Sequence, residues 1–389
     1  MSDSSRRNFL LTGIAVPAAA SAARQSAPGS APADSRRAPI ASSGLRYRVL
    51  GKTGVKVTTV GFGCMITSDA SVIERAADIG ITYFDTARVY QSGNNERMVG
   101  AALKGKRKNL TLSSKTPSKT KEAALADLDT SLRELGTDYL DIWYLHGKSK
   151  PEEVTDELMD AQQAAKKAGK IRFAGVSTHS GQAELIPALA RNPNIDVILT
   201  AYNFSMGQTL DPALAAAHKA GKGIVAMKVM AGGFRVAKPG DKLYTTLKKD
   251  GALLSALRWV LKSPDIDTTI PSMTDIDQLE ENLKAMSGGF TQSDESLLAE
   301  RLQHIAPLYC RMCGECDGTC SKGLPVADVL RYLTYAEGYG QFALGREHFQ
   351  QLPAELGQVR CDLCPDCSVN CPHGVRVSQR LSRAQELFA

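Results

Sequence analysis

The sequence predicts an α/β protein, a (β/α)8 TIM barrel followed by a smaller C-terminal domain. Between Leu45 and Gly288 one rhythm recurs: a β-branched or aromatic run, a polar loop, an amphipathic stretch and a glycine. This alternation is typical of strand–helix units that build a parallel sheet. After Ser287 the composition changes, and eight of the nine cysteines follow. We therefore expect a barrel at residues 44–288 and a second domain at residues 289–389.

Eight short runs predict the barrel strands. They occupy residues 57–60, 81–84, 110–113, 140–143, 171–174, 197–199, 224–226 and 268–270. The clearest helix carries leucines at three- and four-residue steps from Leu125 to Leu135, which keeps them on one face. Eight such units favour a closed barrel over an open sheet. No G-x-G-x-x-G follows the first strand, as a dinucleotide-binding open sheet requires.

The N-terminal residues carry the pattern of a twin-arginine export signal. Arg6 and Arg7 precede an apolar run from Phe9 to Ala20, and small residues follow it. An arginine pair that precedes a membrane anchor by chance is the alternative, but the run is too short to cross a bilayer. We expect a signal at residues 1–22, a flexible Ala/Ser/Pro-rich linker at residues 23–43, and a periplasmic protein without stable membrane insertion after cleavage.

Composition excludes several classes of protein. The chain has 389 residues, of which 43% are hydrophobic and 23% charged, so it can form one large core and an appended domain. The formal net charge of +6 is modest, and acidic and basic residues are interspersed. We therefore expect no nucleic-acid partner.

Two matching four-cysteine motifs are the strongest chemical signal. They run Cys310-x2-Cys313-x2-Cys316-x3-Cys320 and Cys361-x2-Cys364-x2-Cys367-x3-Cys371-Pro. In ferredoxins with this spacing, three cysteines bind one [4Fe–4S] cluster and the fourth binds the other cluster. The spacing therefore predicts one cluster on Cys310, Cys313, Cys316 and Cys371, and a second on Cys361, Cys364, Cys367 and Cys320. We expect a C-terminal α-helical, ferredoxin-like iron–sulfur domain.

Two other uses of these cysteines stay open. Structural zinc needs two C-x-x-C pairs and gives the third closely spaced cysteine no role. Four disulfides suit an oxidising compartment, although disulfide frameworks seldom form two matching motifs. The ninth cysteine, Cys64, is expected to be a packed thiol rather than a ligand.

Four polar residues follow neighbouring barrel strands at the ends where such barrels place their chemistry. They are Asp85, Tyr90, Lys115 and His146. Together with their flanking residues they resemble the catalytic tetrad of aldo-keto reductases. Further motifs that match this family are Leu50–Gly54, Asn95–Arg97, Gly175–Ser177 and Gln278–Leu283. The resemblance covers residues 47–283, and one branch of the family carries appended ferredoxin-like cysteines.

The chemistry of these residue types agrees with the resemblance. A carbonyl that accepts hydride develops negative charge on oxygen and needs a proton, which Tyr90 is expected to supply. A phenol of ordinary pKa is a poor donor at neutral pH, so Lys115 is expected to lower the pKa of Tyr90. Asp85 would pair with Lys115, and neutral His146 would orient the substrate oxygen. The alternative is a polar network that only satisfies the barrel mouth.

The resemblance also implies residues that contact NAD(P)(H). They are Gly61, Ser177, Lys228, Glu281 and Asn282. Lys228 stands where the family has an aromatic that stacks on nicotinamide, and Leu199 where it has a glutamine, so Lys228 is expected to act as an anion contact or as a solvated residue. Residues 271–274 lack the lysine or arginine that would grip a 2′-phosphate, so no strong NADP preference is expected.

The sequence therefore predicts an oxidoreductase that interconverts a small carbonyl compound and its alcohol, with two [4Fe–4S] clusters for electron relay or for structure. A redox partner protein is expected if the clusters relay electrons. One alternative is an iron–sulfur electron-transfer protein whose barrel has lost nicotinamide binding and serves as a docking scaffold. A barrel that binds a sugar or metabolite without catalysis is a more distant alternative.

Overall fold

The computed structural model describes residues 44–233 and 251–388. The predicted signal at residues 1–22, the predicted linker at residues 23–43 and residues 234–250 lie outside these residues. The described chain begins with an antiparallel hairpin of β1 (Tyr47–Val49) and β2 (Lys56–Thr58). Among the described helices, none combines the length and the apolar composition that a membrane crossing requires.

Eight parallel strands form the barrel that the sequence predicts. They are β3 (Phe62–Gly63), β4 (Tyr83–Asp85), β5 (Thr111–Thr116), β6 (Leu140–Leu145), β7 (Ile171–Thr178), β8 (Val197–Ala201), β9 (Gly223–Met227) and β10 (Thr268–Thr269). Each strand pairs with the next one along the chain. Parallel bridges from Val60 to Thr269 and from Gly63 to Ser272 join the first strand to the last. The sheet is therefore closed.

The first predicted strand, residues 57–60, is wrong in its placement. Val57 and Thr58 lie in β2, which pairs with β1 outside the barrel, and only Val60 of the run pairs within the barrel, through its bridge to Thr269. The first barrel strand follows as the two-residue β3. A β-branched run indicates an extended backbone but not the partner with which it pairs. Gly61 fits between β4 and β10, because a side chain there would meet the carbonyl oxygens of Tyr83 and Thr269.

Helices alternate with the strands and cover the outside of the sheet. They are α1 (Ala70–Ile79), α2 (Asn94–Ala102), α3 (Lys121–Leu135), α4 (Asp156–Lys167), α5 (Gln182–Arg191), α6 (Asp211–Lys219), α7 (Ala252–Leu261) and α8 (Ile276–Ser287). In α3 the predicted leucine face is buried at Leu128, Leu132 and Leu135. The helix ends at Gly136, which takes the left-handed conformation that favours glycine.

The C-terminal region is helical. It contains α9 (Gln292–Ile305), α10 (Val326–Glu337), α11 (Phe342–Gln350), α12 (Ala354–Gly357) and α13 (Val377–Phe388). Leu298 and Ile305 of α9 pack into the hydrophobic core of the barrel. A second core begins at Cys310 and ends at Phe388. This second core therefore begins later than the predicted domain boundary at residue 289.

Candidate active site and cysteine clusters

The four residues of the predicted tetrad lie together at the carboxyl ends of the barrel strands. Asp85 ends β4, Lys115 lies near the end of β5, and His146 follows β6. Lys115 Nζ is 3.3 Å from the Tyr90 hydroxyl and donates a hydrogen bond of 2.7 Å to the Thr86 carbonyl. It also forms an ion pair with Asp85. The phenol and the ammonium that the sequence predicts to be neighbours are thus in hydrogen-bond contact.

A tight turn positions Tyr90. The residue begins a 3-10 turn, Tyr90–Gly93, in which Gln91 and Ser92 have the positive φ angles of 50° and 52°. Side chains other than glycine rarely adopt this conformation. The Gln91 side chain donates a hydrogen bond of 2.8 Å to the Thr67 carbonyl. This contact ties the turn to the loop that follows β3.

The ion pair of Asp85 and Lys115 is almost fully buried, with side chains 2% and 1% exposed. Burial raises the pKa of Asp85 and lowers that of Lys115, and in each case the partner's charge opposes the shift. Ser113 also donates a hydrogen bond of 2.7 Å to Asp85 Oδ1. A buried charge needs such compensation, because burial without a partner is costly.

The expectation that Lys115 lowers the pKa of Tyr90 is wrong. Burial, followed by the negative charge of Asp85, raises the pKa of Tyr90 well above its usual value. The phenol therefore carries its proton at neutral pH. The expected neutral state of His146 agrees with the structure, since burial and then the charge of Lys115 hold the pKa of His146 well below its usual value.

A cavity of about 280 Å³ opens at these strand ends. Its lining includes Tyr90, His179, Lys228, Thr274 and Tyr339. Polar groups from the barrel and an aromatic side chain from the C-terminal region therefore share one cavity. A concave site with a few convergent polar groups is typical of ligand binding.

The predicted cofactor contacts lie in different positions relative to this cavity. Lys228 lines it, and so does Gly63, whereas Gly61 is packed inside the barrel. Ser177 is fully buried at the end of β7, where its hydroxyl accepts a hydrogen bond of 2.9 Å from the Gly147 amide. Leu199 is packed in the apolar barrel interior. An apolar side chain in that position cannot replace the family's glutamine.

Glu281 and Asn282 lie on α8, the helix that follows Thr274 and begins near the cavity. Asn282 is fully buried, and neither its amide nitrogen nor its amide oxygen has a hydrogen-bond partner among the described residues. Buried polar groups are nearly always satisfied. The Asn282 amide therefore leaves both its donor and its acceptor unsatisfied, although it does not line the cavity.

Four residues near the cavity were not predicted from the sequence. His179 follows β7, and its Nδ1 is buried without a hydrogen-bond partner in the described chain. Arg331, Tyr335 and Tyr339 lie at four-residue steps on and just after α10. The Arg331 guanidinium donates a hydrogen bond of 3.1 Å to the Tyr335 hydroxyl. Like the tetrad residues, His179 is a polar residue that follows a barrel strand, so the same rule would have found it. The other three could be found only from their four-residue spacing.

The first predicted cysteine group converges on one small cavity. The cavity is lined by Cys310, Cys313, Cys316 and Cys371. Burial and the neighbouring thiols raise the pKa of Cys310 to about 12 and that of Cys316 to about 11. Thiolates that lie this close together repel one another, and a bound cation offsets the repulsion. Cys313 also forms a potential metal site with Glu315 and His373.

The thiols of the second group also lie close enough to affect one another. Burial, followed by the charges of Cys364, Cys320 and Cys367, raises the pKa of Cys361 to about 11. Cys320 thus lies with the cysteines of the second motif, and Cys371 with those of the first. All nine cysteines are described, and none forms a disulfide. Cys64 is fully buried in the barrel core.

Comparison with known proteins assigns the barrel to a family. A model of the aldo/keto reductase family matches residues 67–301. The uncharacterized oxidoreductase YqkF of Bacillus subtilis is 27% identical over 286 residues, which are 62% of this chain and 91% of that protein. The aldo-keto reductase yakc [NADP(+)] of Schizosaccharomyces pombe is 32% identical over 145 residues, which are 31% of this chain and 42% of that protein.

A solved structure agrees with this assignment. The holo form of aldo-keto reductase AKR11C1 from Bacillus halodurans superimposes with a TM-score of 0.58 and 26% sequence identity. The match covers 70% of this chain and 98% of that protein. The chain belongs to the aldo/keto reductase family and is an aldo-keto reductase-like oxidoreductase.

Proposed function

We propose that this protein interconverts a carbonyl compound and its alcohol, with Tyr90 as the general acid and base. The observation that carries the proposal is the contact of 3.3 Å between the Tyr90 hydroxyl and Lys115 Nζ at a cavity lined by Tyr90 and Asp85. A phenol that is protonated at neutral pH can donate its proton to a developing alkoxide. Lys115 then stabilises the phenolate through the same contact.

His146 orients the substrate in this proposal. Its ring centroid lies 6.0 Å from that of Tyr90, edge to face. Because burial keeps it neutral, one ring nitrogen carries a proton that can be donated to the carbonyl oxygen. Two donors aimed at one oxygen stabilise the charge that develops there. Asp85 positions Lys115 without contacting the substrate.

We propose a nicotinamide dinucleotide as the cofactor, which would supply or accept the hydride. A relative is named for NADP(+), and the unpaired amide of Asn282 offers donors and acceptors to a ligand. Asn282 and Glu281 would hold the adenine end and Ser177 the nicotinamide end, with Lys228 as an anion contact. The aromatic side chain that the family places at Lys228 is absent, but Tyr339 brings a ring to the same cavity.

We further propose that the C-terminal domain holds two [4Fe–4S] clusters. The grouping of the cysteines supports this, since each group contains three cysteines of one motif and the fourth cysteine of the other. The trio of Cys313, Glu315 and His373 keeps zinc open as the alternative. We also retain as proposals the twin-arginine export signal, the periplasmic location and a redox partner for the clusters.

Replacement of the phenol tests the enzymatic proposal. Tyr90→Phe removes the proton donor and keeps the ring, so kcat for aldehyde reduction should fall about 100-fold or more while the circular dichroism spectrum stays unchanged. Turnover should be measured with NADH and with NADPH, which also decides the cofactor. Unchanged turnover in the variant would contradict the role of Tyr90.

Analysis of the purified protein tests the cofactor proposals. Anaerobic purification should yield iron and acid-labile sulfide in equal amounts, and little zinc. The alternative function, an electron-transfer protein with a scaffold barrel, predicts iron without nicotinamide binding. Thermal stabilisation by NADH or NADPH separates the two, because a ligand that binds the folded state raises the midpoint of unfolding.

A further inference from the structure

One lysine of the cavity, Lys228, has no acidic partner within residues 44–233 and 251–388. Lys228 lines the cavity, and its Nζ lies 5.2 Å from the ring centroid of Tyr335 and 5.8 Å from that of Tyr339. Two other cations near the cavity are paired: Lys115 with Asp85 and Arg331 with Asp328. The positive charge of Lys228 is therefore available for a ligand to neutralise.

The backbone holds this lysine in place. Lys228 has a φ angle of 55°, in the left-handed region that lysine rarely adopts. Its carbonyl accepts hydrogen bonds of 3.0 Å from the Asn203 side chain and 3.0 Å from the Ala231 amide. Strained positions of this kind persist where the surrounding structure fixes them, and they cluster at ligand sites.

A neutral histidine lines the same cavity. The buried Nδ1 of His179 has no hydrogen-bond partner in the described chain, and the ring centroid lies 6.2 Å from that of His146. Burial, followed by the charge of Lys228, holds the pKa of His179 well below its usual value. His179 therefore leaves the charge of Lys228 unopposed and has a nitrogen available to a ligand.

We propose that Lys228 and His179 form an anion subsite that binds a carboxylate or phosphate group while the reacting carbonyl lies at Tyr90. The inference rests on the proposed function and specifies in addition that the ligand carries a negative charge. Charge-assisted hydrogen bonds to such groups are the strong ones. The anionic group has two sources: the substrate itself or the phosphates of the dinucleotide.

The test compares binding of matched probes by isothermal titration. 4-Carboxybenzaldehyde and its methyl ester differ in the anionic group, while NADH and reduced nicotinamide riboside differ in the phosphates and the adenosine. Lys228→Met removes the charge at similar length. Lys262→Met is the matched control, because Lys262 also lies over aromatic rings, 4.5 Å from the centroid of Phe290, but on the exposed surface.

If the substrate supplies the anion, Lys228→Met should weaken binding of the carboxylate about 10- to 100-fold and leave the ester unchanged. If the dinucleotide supplies the anion, the variant should weaken NADH binding by a similar factor and leave binding of the riboside unchanged. In either case Lys262→Met should have no effect. Unchanged binding of both anionic probes to folded Lys228→Met overturns the proposal.

A second variant covers the case in which Lys228→Met does not fold. His179→Leu keeps the charge of Lys228 and removes the neutral donor, so it should weaken the same anionic probe by a smaller factor. Equal binding of that probe to wild type and His179→Leu would overturn the role of His179. Titration measures binding and does not require turnover, so these results are independent of the Tyr90→Phe test. Unchanged turnover in Tyr90→Phe would contradict the proposed reaction but not the anion subsite.

Discussion

At the scale of single residues, the site depends on one buried ion pair. Asp85 and Lys115 lie among apolar barrel strands, and Lys115 contacts both Asp85 and Tyr90. A buried pair is a weak source of stability, because both charges lose their hydration. The pair therefore serves to hold an ammonium beside the phenol, and its removal should affect stability and catalysis separately.

Lys115→Met should destabilise the protein by about 3–5 kcal/mol, since it leaves the Asp85 carboxylate buried and unpaired. The double variant Lys115→Met/Asp85→Asn should recover much of that loss and remain inactive. Lys170→Met is the control, because its ion pair with Asp129 is exposed, with side chains 40% and 53% accessible, and should cost about 1 kcal/mol or less. Urea unfolding measures all three, and a double variant as unstable as the single one would contradict this account.

His348 should make the free energy of unfolding depend on pH. His348 stacks on Tyr332 with ring centroids 5.2 Å apart, and burial, followed by the charge of Arg331, lowers its pKa from 6.5 to about 4. Between these values the unfolded chain binds a proton that the folded chain does not. The free energy of unfolding should therefore fall as the pH falls from 6.5 towards 4.

His348→Gln should remove this part of the pH dependence. Between pH 7.5 and pH 5.0 the wild type should lose about 1–2 kcal/mol more than the variant. Urea unfolding at the two pH values gives the comparison. Parallel losses in the two proteins would show that His348 takes up its proton equally in the folded and unfolded states.

The tetrad could be predicted from the sequence because barrel enzymes place polar residues after successive strands. That rule needs only the order of strands along the chain. The pKa of Tyr90 could not be predicted, because it depends on burial, and the sequence does not show how much water reaches the site. Arg331, Tyr335 and Tyr339 could not be placed either, since their role requires the docking of α10 beside the barrel mouth.

At the scale of elements, the sequence predicted the alternation of strands and helices well and failed at the first strand. Residues 57–60 carry the β-branched run that predicts a barrel strand, but Val57 and Thr58 pair with β1 and only Val60 pairs within the barrel. The true first strand, β3, is short and contains Gly63, because a side chain there would clash with the Ile270 carbonyl. Where the first and last strands approach each other closely to close the barrel, glycine thus stands in place of a residue with high strand propensity.

The contact between α10 and the barrel depends on another glycine. A side chain at Gly338, just after α10, would clash with the Gly232 carbonyl in the loop after β9. Gly338→Ala should therefore lower the midpoint of thermal unfolding and speed hydrogen exchange in α10. The control is Gly357→Ala in α12, which meets no atom within 4 Å and should be neutral or slightly stabilising. Equal exchange in α10 of wild type and Gly338→Ala would mean that the clash is relieved without moving α10.

At the scale of the whole molecule, the C-terminal domain contacts the barrel next to the first cysteine group. Tyr309 accepts a hydrogen bond of 3.3 Å from the Asn203 side chain, and the Arg311 guanidinium donates one of 3.4 Å to the Ser205 carbonyl. Both residues flank Cys310, which is 9% exposed. In the second group Cys367 is exposed. The two groups therefore differ in how close they lie to the barrel and to solvent.

The crossing of the two motifs gives the last prediction. Cys320 belongs to the first motif by sequence but lies with the second group, and Cys371 does the reverse. In the background Cys361→Ala/Cys364→Ala, which should lose one cluster and keep about four irons per chain, Cys371→Ala should remove the remaining iron. Cys320→Ala in the same background should leave it unchanged, because its partners are already absent. Iron and sulfide content after anaerobic reconstitution decides between this arrangement and one without crossing, in which the effects of Cys320→Ala and Cys371→Ala would be exchanged.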